Sequence, residues 1–256
     1  MTQTMIESWA LASGEHVCWR AASEQDYAVG REALTAHARR HAGGLIVVAD
    51  EETGRVPAER AAVSRSALAT LSAVRERVHA ARRGGRVPWV LAPMERLTPS
   101  DASAAEVVAV ELELAELAAD ADTGVVCAYR APLWKPALLG DIAAVHSRVL
   151  GARPGTAAFH LRSTGAHGYA LDGSVGFESL SAFTAALRGA LLRAPRLCLS
   201  CERLELVDAA AWRALVETVA AAPGASVLLE RVNETVLRAW ELSGYEGHGA
   251  AVRVRS

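Results

Sequence analysis

Soft and titratable side chains recur in this chain at spacings suited to a binding site. His16 and Cys18, in HVCWRA, are two residues apart, so on an extended strand both side chains leave one face. Cys127 and Tyr129 repeat that spacing in GVVCAYR, and His146 follows in DIAAVHS. Imidazole, thiol and phenol groups offer polar or polarizable contact to a small, weakly polar molecule. Trp19, Trp89 and Trp134 are candidate walls for the apolar cavity such a ligand needs. Glu95, Glu106, Glu113 and the histidines are the general acid and base candidates of an enzyme. A His/Cys metal centre requires four ligands brought to one point. These residues lie far apart in sequence, so no metal and no cofactor is expected. Each also has a packing alternative: Cys127 as core of an apolar strand, His146 as the surface or interface of an amphipathic helix, His16 and Cys18 as strand packing.

Other chemistry is excluded or weakened by what the chain lacks. There is no G-x-x-x-x-G-K-[S/T] segment, so nothing cradles a triphosphate in the P-loop manner. Cys198 and Cys201, in CLSC, have redox spacing but sit in an apolar strand rather than at a helix start, where a thiol would gain a low pKa. Core packing is the expected role of both. The four cysteines are expected to be reduced, because the N-terminus has no basic region of a secretory signal. A formal net charge of −2 and the absence of a basic stripe argue against nucleic acid. No apolar run reaches the ~20 residues of a bilayer span. A cytoplasmic protein that meets neither membrane nor nucleic acid is expected.

The elements that must position these residues alternate between apolar runs and Ala-rich helical segments. Strands are expected at 44–49, 87–91, 124–129, 156–161, 196–200, 226–229 and 250–254. Helices are expected at 25–41, 57–83, 103–120, 178–193, 209–221 and 234–243, with one more ending near His146. That alternation predicts an α/β fold with mostly parallel sheets. Ser103-Ala-Ala-Glu106 has the form of a capping box. Val107, Val110, Leu114 and Leu117 form one apolar stripe behind it. Small and polar residues cluster at 162–168, which places a boundary there, with domains at 1–162 and 163–256.

From Tyr169 onward the segments YALDGSVGFESLSAF, RLCLSCERLELVDAAAWRALVET and SVLLERVNETVLRAWELSGYEG resemble the STAS domain of anti-sigma factor antagonists. The resemblance implies a smaller α/β domain that docks on a regulator such as an anti-sigma factor or kinase, through Asp208, Ala209 and Ala210. Family members carry a phosphoacceptor hydroxyl at the position of Ala209 and a glycine at that of Ala211. Alanine has no nucleophilic oxygen, so phosphate control is closed, and Asp208 is left as an N-cap.

The earlier segments GEHVCWRAASEQDY, VELELAELAADADTGVVCAYRAPLW and KPALLGDIAAVHSRVLG resemble the MEDS domain, the sensory region of dichloromethane-responsive regulators. WVLAPMERL is similar to a shortened form of another of its motifs. The resemblance implies a RecA/KaiC-like core with a mostly parallel sheet, sensing a small organic ligand. It implies site residues His16, Cys18, Trp19, Glu113, Cys127, Tyr129 and His146. The function expected is therefore a non-enzymatic signalling protein in which a sensory domain precedes a docking domain, with a homodimer as one possible assembly. A ligand-free scaffold and an enzyme on a degenerate ATPase-like core are the alternatives.

Overall fold

Parallel strands cannot be joined by tight turns, so each pair needs a crossover, and the helical segments supply them. The computed structural model describes residues 11–40, 43–48, 65–99, 101–151, 157–165, 168–245 and 251–256. The chain splits into two compact units, each with its own sheet.

The first sheet contains β1 (His16–Ala21), β2 (Leu45–Val47), β3 (Trp89–Pro93), β4 (Gly124–Arg130) and β5 (Arg148–Gly151) in the order β2-β3-β4-β1-β5. Every pairing in it is parallel. The helices α1 (Glu24–Arg40), α2 (Arg65–Arg83) and α3 (Ala104–Ala121) lie between its strands in sequence. The expected start of α2 at residue 57 lies outside the described residues, and its end at Gly84-Gly85 is as read, with Gly85 at φ +73°.

Alternation along β1 divides its side chains between two faces. Val17, Trp19 and Ala21 join Trp89, Leu91, Val126 and Ala128 in a buried cluster with Leu34 and Ala38 of α1. Trp19 stacks on Tyr27, with ring centroids 5.5 Å apart. Gly30 of α1 makes that approach possible: a Cβ there would sit 2.1 Å from Trp19 Cζ2. His16, Cys18, Val125, Cys127 and Tyr129 belong to the opposite face, because β1 and β4 pair with Cys18 beside Cys127.

The capping box of α3 is present. Ser103 Oγ and backbone N both donate to Glu106 Oε2, at 2.7 and 2.8 Å, and Glu106 N donates to Ser103 Oγ at 3.3 Å. The stripe is only part of the buried surface, since every residue from 107 to 118 except Glu113 is buried. The helix expected to end near His146 is broken. It consists of α4 (Pro136–Asp141) and a 3-10 turn, Ile142–Val145, after which His146 is extended at φ −116°, ψ 150°. The chain then enters β5, which pairs with β1. That strand is missed in the sequence because four residues show no periodicity.

The second sheet is mixed. β6 (Phe159–Gly165) and β7 (Gly168–Val175) form an antiparallel pair, and β8 (Arg196–Ser200), β10 (Ser226–Glu230) and β11 (Val252–Val254) add in parallel in the order β11-β10-β8-β7-β6. The polar residues 162–165 form the second half of β6. A strand not expected from the sequence, β9 (Leu204–Val207), pairs with β7. The helices are α5 (Leu180–Arg193), α6 (Ala209–Ala220) and α7 (Glu234–Ser243). Trp212 and Trp240 meet edge to face between α6 and α7, 5.0 Å apart.

Replacing a glycine by alanine in an open helix position gains up to about 1 kcal/mol. Gly30→Ala should do the reverse and cost about 1–3 kcal/mol, because the methyl must displace the Trp19 ring. Urea unfolding of that variant beside Gly140→Ala, whose new methyl has open space, checks the sign of both.

Candidate functional site

The polar face of the first sheet presents His16 and Cys127 to each other, with His16 Nε2 3.2 Å from Cys127 Sγ. His146, at the end of the 3-10 turn, donates its Nδ1 hydrogen to the carbonyl oxygen of Ile142 at 2.9 Å. A carbonyl only accepts, so this contact assigns the hydrogen to Nδ1 and turns Nε2 toward Glu111. His146 Nε2 stands 3.1 Å from Glu111 Oε2. Glu111, Cys127 and His146 are 0% exposed and His16 only 6%.

Of the residues singled out in the sequence, His16 meets Cys127 in the first unit, and His146 meets Glu111 in the second. Cys18 is buried beside Cys127 in the strand register. Tyr129 lies farther along the same face, and Trp134 meets its ring at 5.2 Å. Trp19 and Trp89 are in the opposite cluster with α1. The reason is the two-residue period: Trp19 falls between Cys18 and Arg20.

Glu113 has a different environment. Its side chain is 25% exposed and pairs with Arg75 at 3.5 Å, and the same guanidinium reaches Asp120. Glu111, not singled out in the sequence, is the buried glutamate that meets His146. The signal was present in the helical wheel: Glu111 is flanked at i−4, i+3 and i+7 by Val107, Leu114 and Ala118, whereas Glu113 shares its row with Glu106 and Asp120. The other carboxylates proposed for acid–base work have structural partners. Glu95 pairs with Arg130 at 2.6 Å, and Glu106 closes the capping box. Burial alone would lower the Arg130 pKa, but hydrogen bonding and charge from Glu24 and Glu95 outweigh it and raise it.

In the second unit, Asp208 caps α6 by accepting from Ala211 N through Oδ1 at 2.8 Å. Its Oδ2 accepts from Phe177 N, also at 2.8 Å. One carboxylate thus holds two chain segments, the start of α6 and the turn ahead of α5. Ala209 is exposed, Ala210 half-buried and Ala211 buried. Phe177, missed in the sequence, is 77% exposed beside this junction. Its signal was an aromatic residue between Gly176 and Glu178 in a polar turn. Cys198 is exposed and Cys201 buried, so core packing describes only the second. Burial pushes the Cys201 thiol up to about 12, and burial with the Glu230 carboxylate raises Cys198. Neither has the lowered pKa of a redox cysteine.

The MEDS domain model (methanogen/methylotroph, DcmR sensory domain) matches residues 7–147, more than half of the chain. The chain belongs to the MEDS family. A STAS model, described as Mlab, STAS domain, matches residues 160–253 after the MEDS domain. No curated protein and no solved structure matches the chain. His16, Glu111, Cys127 and His146 all fall inside the MEDS match. Both domains are of sensory and regulatory kinds rather than catalytic families. Among the described residues, no helix is long and apolar enough to cross a membrane.

Asp208→Ala removes a cap and a second anchor together. It should destabilise the chain by about 1–2 kcal/mol, and hydrogen exchange at the amides of Ala211 and Phe177 should accelerate in the same variant. Protection unchanged at Phe177 would mean that the Oδ2 contact holds nothing.

Proposed function

We propose that this chain is a signalling protein in which the MEDS domain senses a small ligand and the STAS domain docks a regulator without phosphate control. We place the division between the two domains after residue 147 and before residue 160. The observation that carries the reading is the junction at Asp208–Ala209, where a family of docking domains is matched but no hydroxyl stands at the exposed helix start.

The chemistry of that junction supports a docking surface held in one state. A phosphate at a helix N-terminus adds two negative charges and three acceptors beside free backbone N–H groups, and so remakes a contact surface. Here the cap is a permanent carboxylate whose oxygens already accept from Ala211 and Phe177. Phe177 contributes an exposed apolar side chain next to it, of the kind that anchors protein contacts. Regulation then comes from the MEDS domain, by ligand affinity that differs between docked and undocked arrangements. A catalytic role is disfavoured by the structural partners of Glu95, Glu106 and Glu113.

The test is calorimetric titration of the full chain against each purified serine-kinase anti-sigma factor of the source cell. One of them should bind, and ATP should leave that binding unchanged. Phe177→Glu should weaken it about tenfold, or ~1.4 kcal/mol. Ala209→Ser should bind like the unmodified chain until kinase and ATP are added, then dissociate. Failure of every such protein to bind, or release of the unmodified chain by ATP, overturns the reading.

A further inference from the structure

We propose that Arg20 and Trp134, at the carboxyl edge of the first sheet, bind the carboxylate of a small organic acid. In an open parallel sheet the ligand crevice lies beyond the carboxyl ends of the strands, where neighbouring strands send their connections in opposite directions. The order β2-β3-β4-β1-β5 puts that point between β1 and β4, since the chain leaves β1 toward β2 and β4 toward β5. Buried polar atoms with no hydrogen-bond partner among the described residues gather at this edge: Arg20 Nε, Glu95 Oε2, Arg130 Nε and Trp134 Nε1. Glu95 and Arg130 already answer each other's charge at 2.6 Å. Arg20 has no such answer. Its Nη2 donates to the carbonyl oxygen of Leu139, and among the described residues no carboxylate pairs with it. Trp134 is 4% exposed, and its indole N–H meets no acceptor among them. Two buried donors, one of them cationic, therefore gain free energy from an acceptor that reaches both.

Both residues belong to the first unit. Arg20 and Tyr129 are register partners across β1 and β4, so their side chains leave the same face. The Tyr129 ring meets that of Trp134 edge-on, with centroids 5.2 Å apart, so Arg20 and Trp134 flank one ring. On its other side Arg20 pairs with Gly151 of β5, which cannot carry a side chain: φ is +95° and a Cβ would stand 2.2 Å from Arg20 O. The guanidinium thus has a bare flank. Its chemistry sets the class of ligand. A guanidinium presents parallel N–H bonds that match the two oxygens of a carboxylate. One positive charge balances a monoanion, whereas a phosphate dianion leaves buried charge uncompensated. The helix start that would hold a phosphate is closed as well. Ala22 N donates to Asp26 Oδ2 and Asp26 N to Ser23 Oγ, and Glu24 and Asp26 make the first turn of α1 acidic. The rings of Tyr129 and Trp134 supply apolar contact for a short carbon chain. This names a ligand class for the sensory domain, and its part in signalling rests on the sensory reading above.

The test is a titration of the isotope-labelled full chain with sodium acetate, followed by nuclear magnetic resonance. Sodium chloride at matched ionic strength and the neutral isostere acetamide are the controls. The side-chain N–H signals of Arg20 Nε and Trp134 Nε1, assigned by through-bond correlation, should both move and saturate with acetate, giving one dissociation constant. Acetamide and chloride should not saturate them. Arg20→Gln, read at the Trp134 signal, should weaken acetate binding about tenfold or more, because the charge is gone. Trp134→Phe, read at the Arg20 signal, should weaken it about threefold, because one neutral donor is gone. Signal dispersion reports whether each variant is folded. If a variant does not fold, the contrast between acetate and acetamide in the natural chain still decides. Equal responses to the two, no saturation with acetate, or undiminished binding by folded Arg20→Gln overturns the site. Binding is read on the chain alone, so this proposal and the partner titration above can each fail without the other.

Discussion

The two-residue alternation of β1 is the constraint from which the first domain follows. In HVCWRA every second side chain is apolar, and those between are polar, soft or charged. A shift of one residue in the pairing with β4 would bring Trp19 to the polar face and His16 to the apolar one. The register is therefore held from both sides. Trp19 is fixed by Gly30 and Tyr27 beneath α1, and Cys18 is fixed beside Cys127 across the strand pair. The packing of one face guarantees the placement of groups on the other.

The second domain relies on a polar anchor instead. Asp208 ties the end of β9 to the beginning of α6 and to the turn before α5, and Asn233 repeats the device. Its Oδ1 accepts from Val236 N at 2.9 Å and its Nδ2 donates to the Leu204 carbonyl at 2.7 Å. Each cap bonds both within its helix and across to another segment. This explains how short strands and Ala-rich helices, with little shape to interlock, keep a defined arrangement around Trp212 and Trp240. It also separates the roles of neighbouring residues: Asp208 is architectural, while Ala209 and Phe177 face outward.

Long, strongly patterned elements were legible in the sequence. α1, α3, α6 and α7 lie within a residue or so of their expected bounds, and the order of the two domains follows from their motifs. What escaped was short or tertiary in origin. β5 and β9 have four residues each, and their pairing partners are distant in sequence, so local pattern carries no trace of them. The break before His146, a six-residue helix followed by a 3-10 turn, is not marked in the local pattern. Among candidate site residues, His16, Cys127 and His146 stood out by type, and the structure pairs His16 with Cys127 and His146 with Glu111. That Trp19 packs on the other face of β1 follows from strand parity, which residue type alone does not carry. Glu113 was preferred over Glu111 because three glutamates in VELELAEL look equivalent until each is set on the helix surface.

The complete burial of Glu111, Cys127 and His146 has a kinetic consequence. Nothing in bulk water touches Glu111, Cys127 or His146 directly, so anything that exchanges there must wait for the surrounding helix and strands to part. The rate of exchange is then capped by local opening and not by diffusion. Chemistry at these side chains is therefore paced by the breathing of the fold, however fast a reagent reaches the surface.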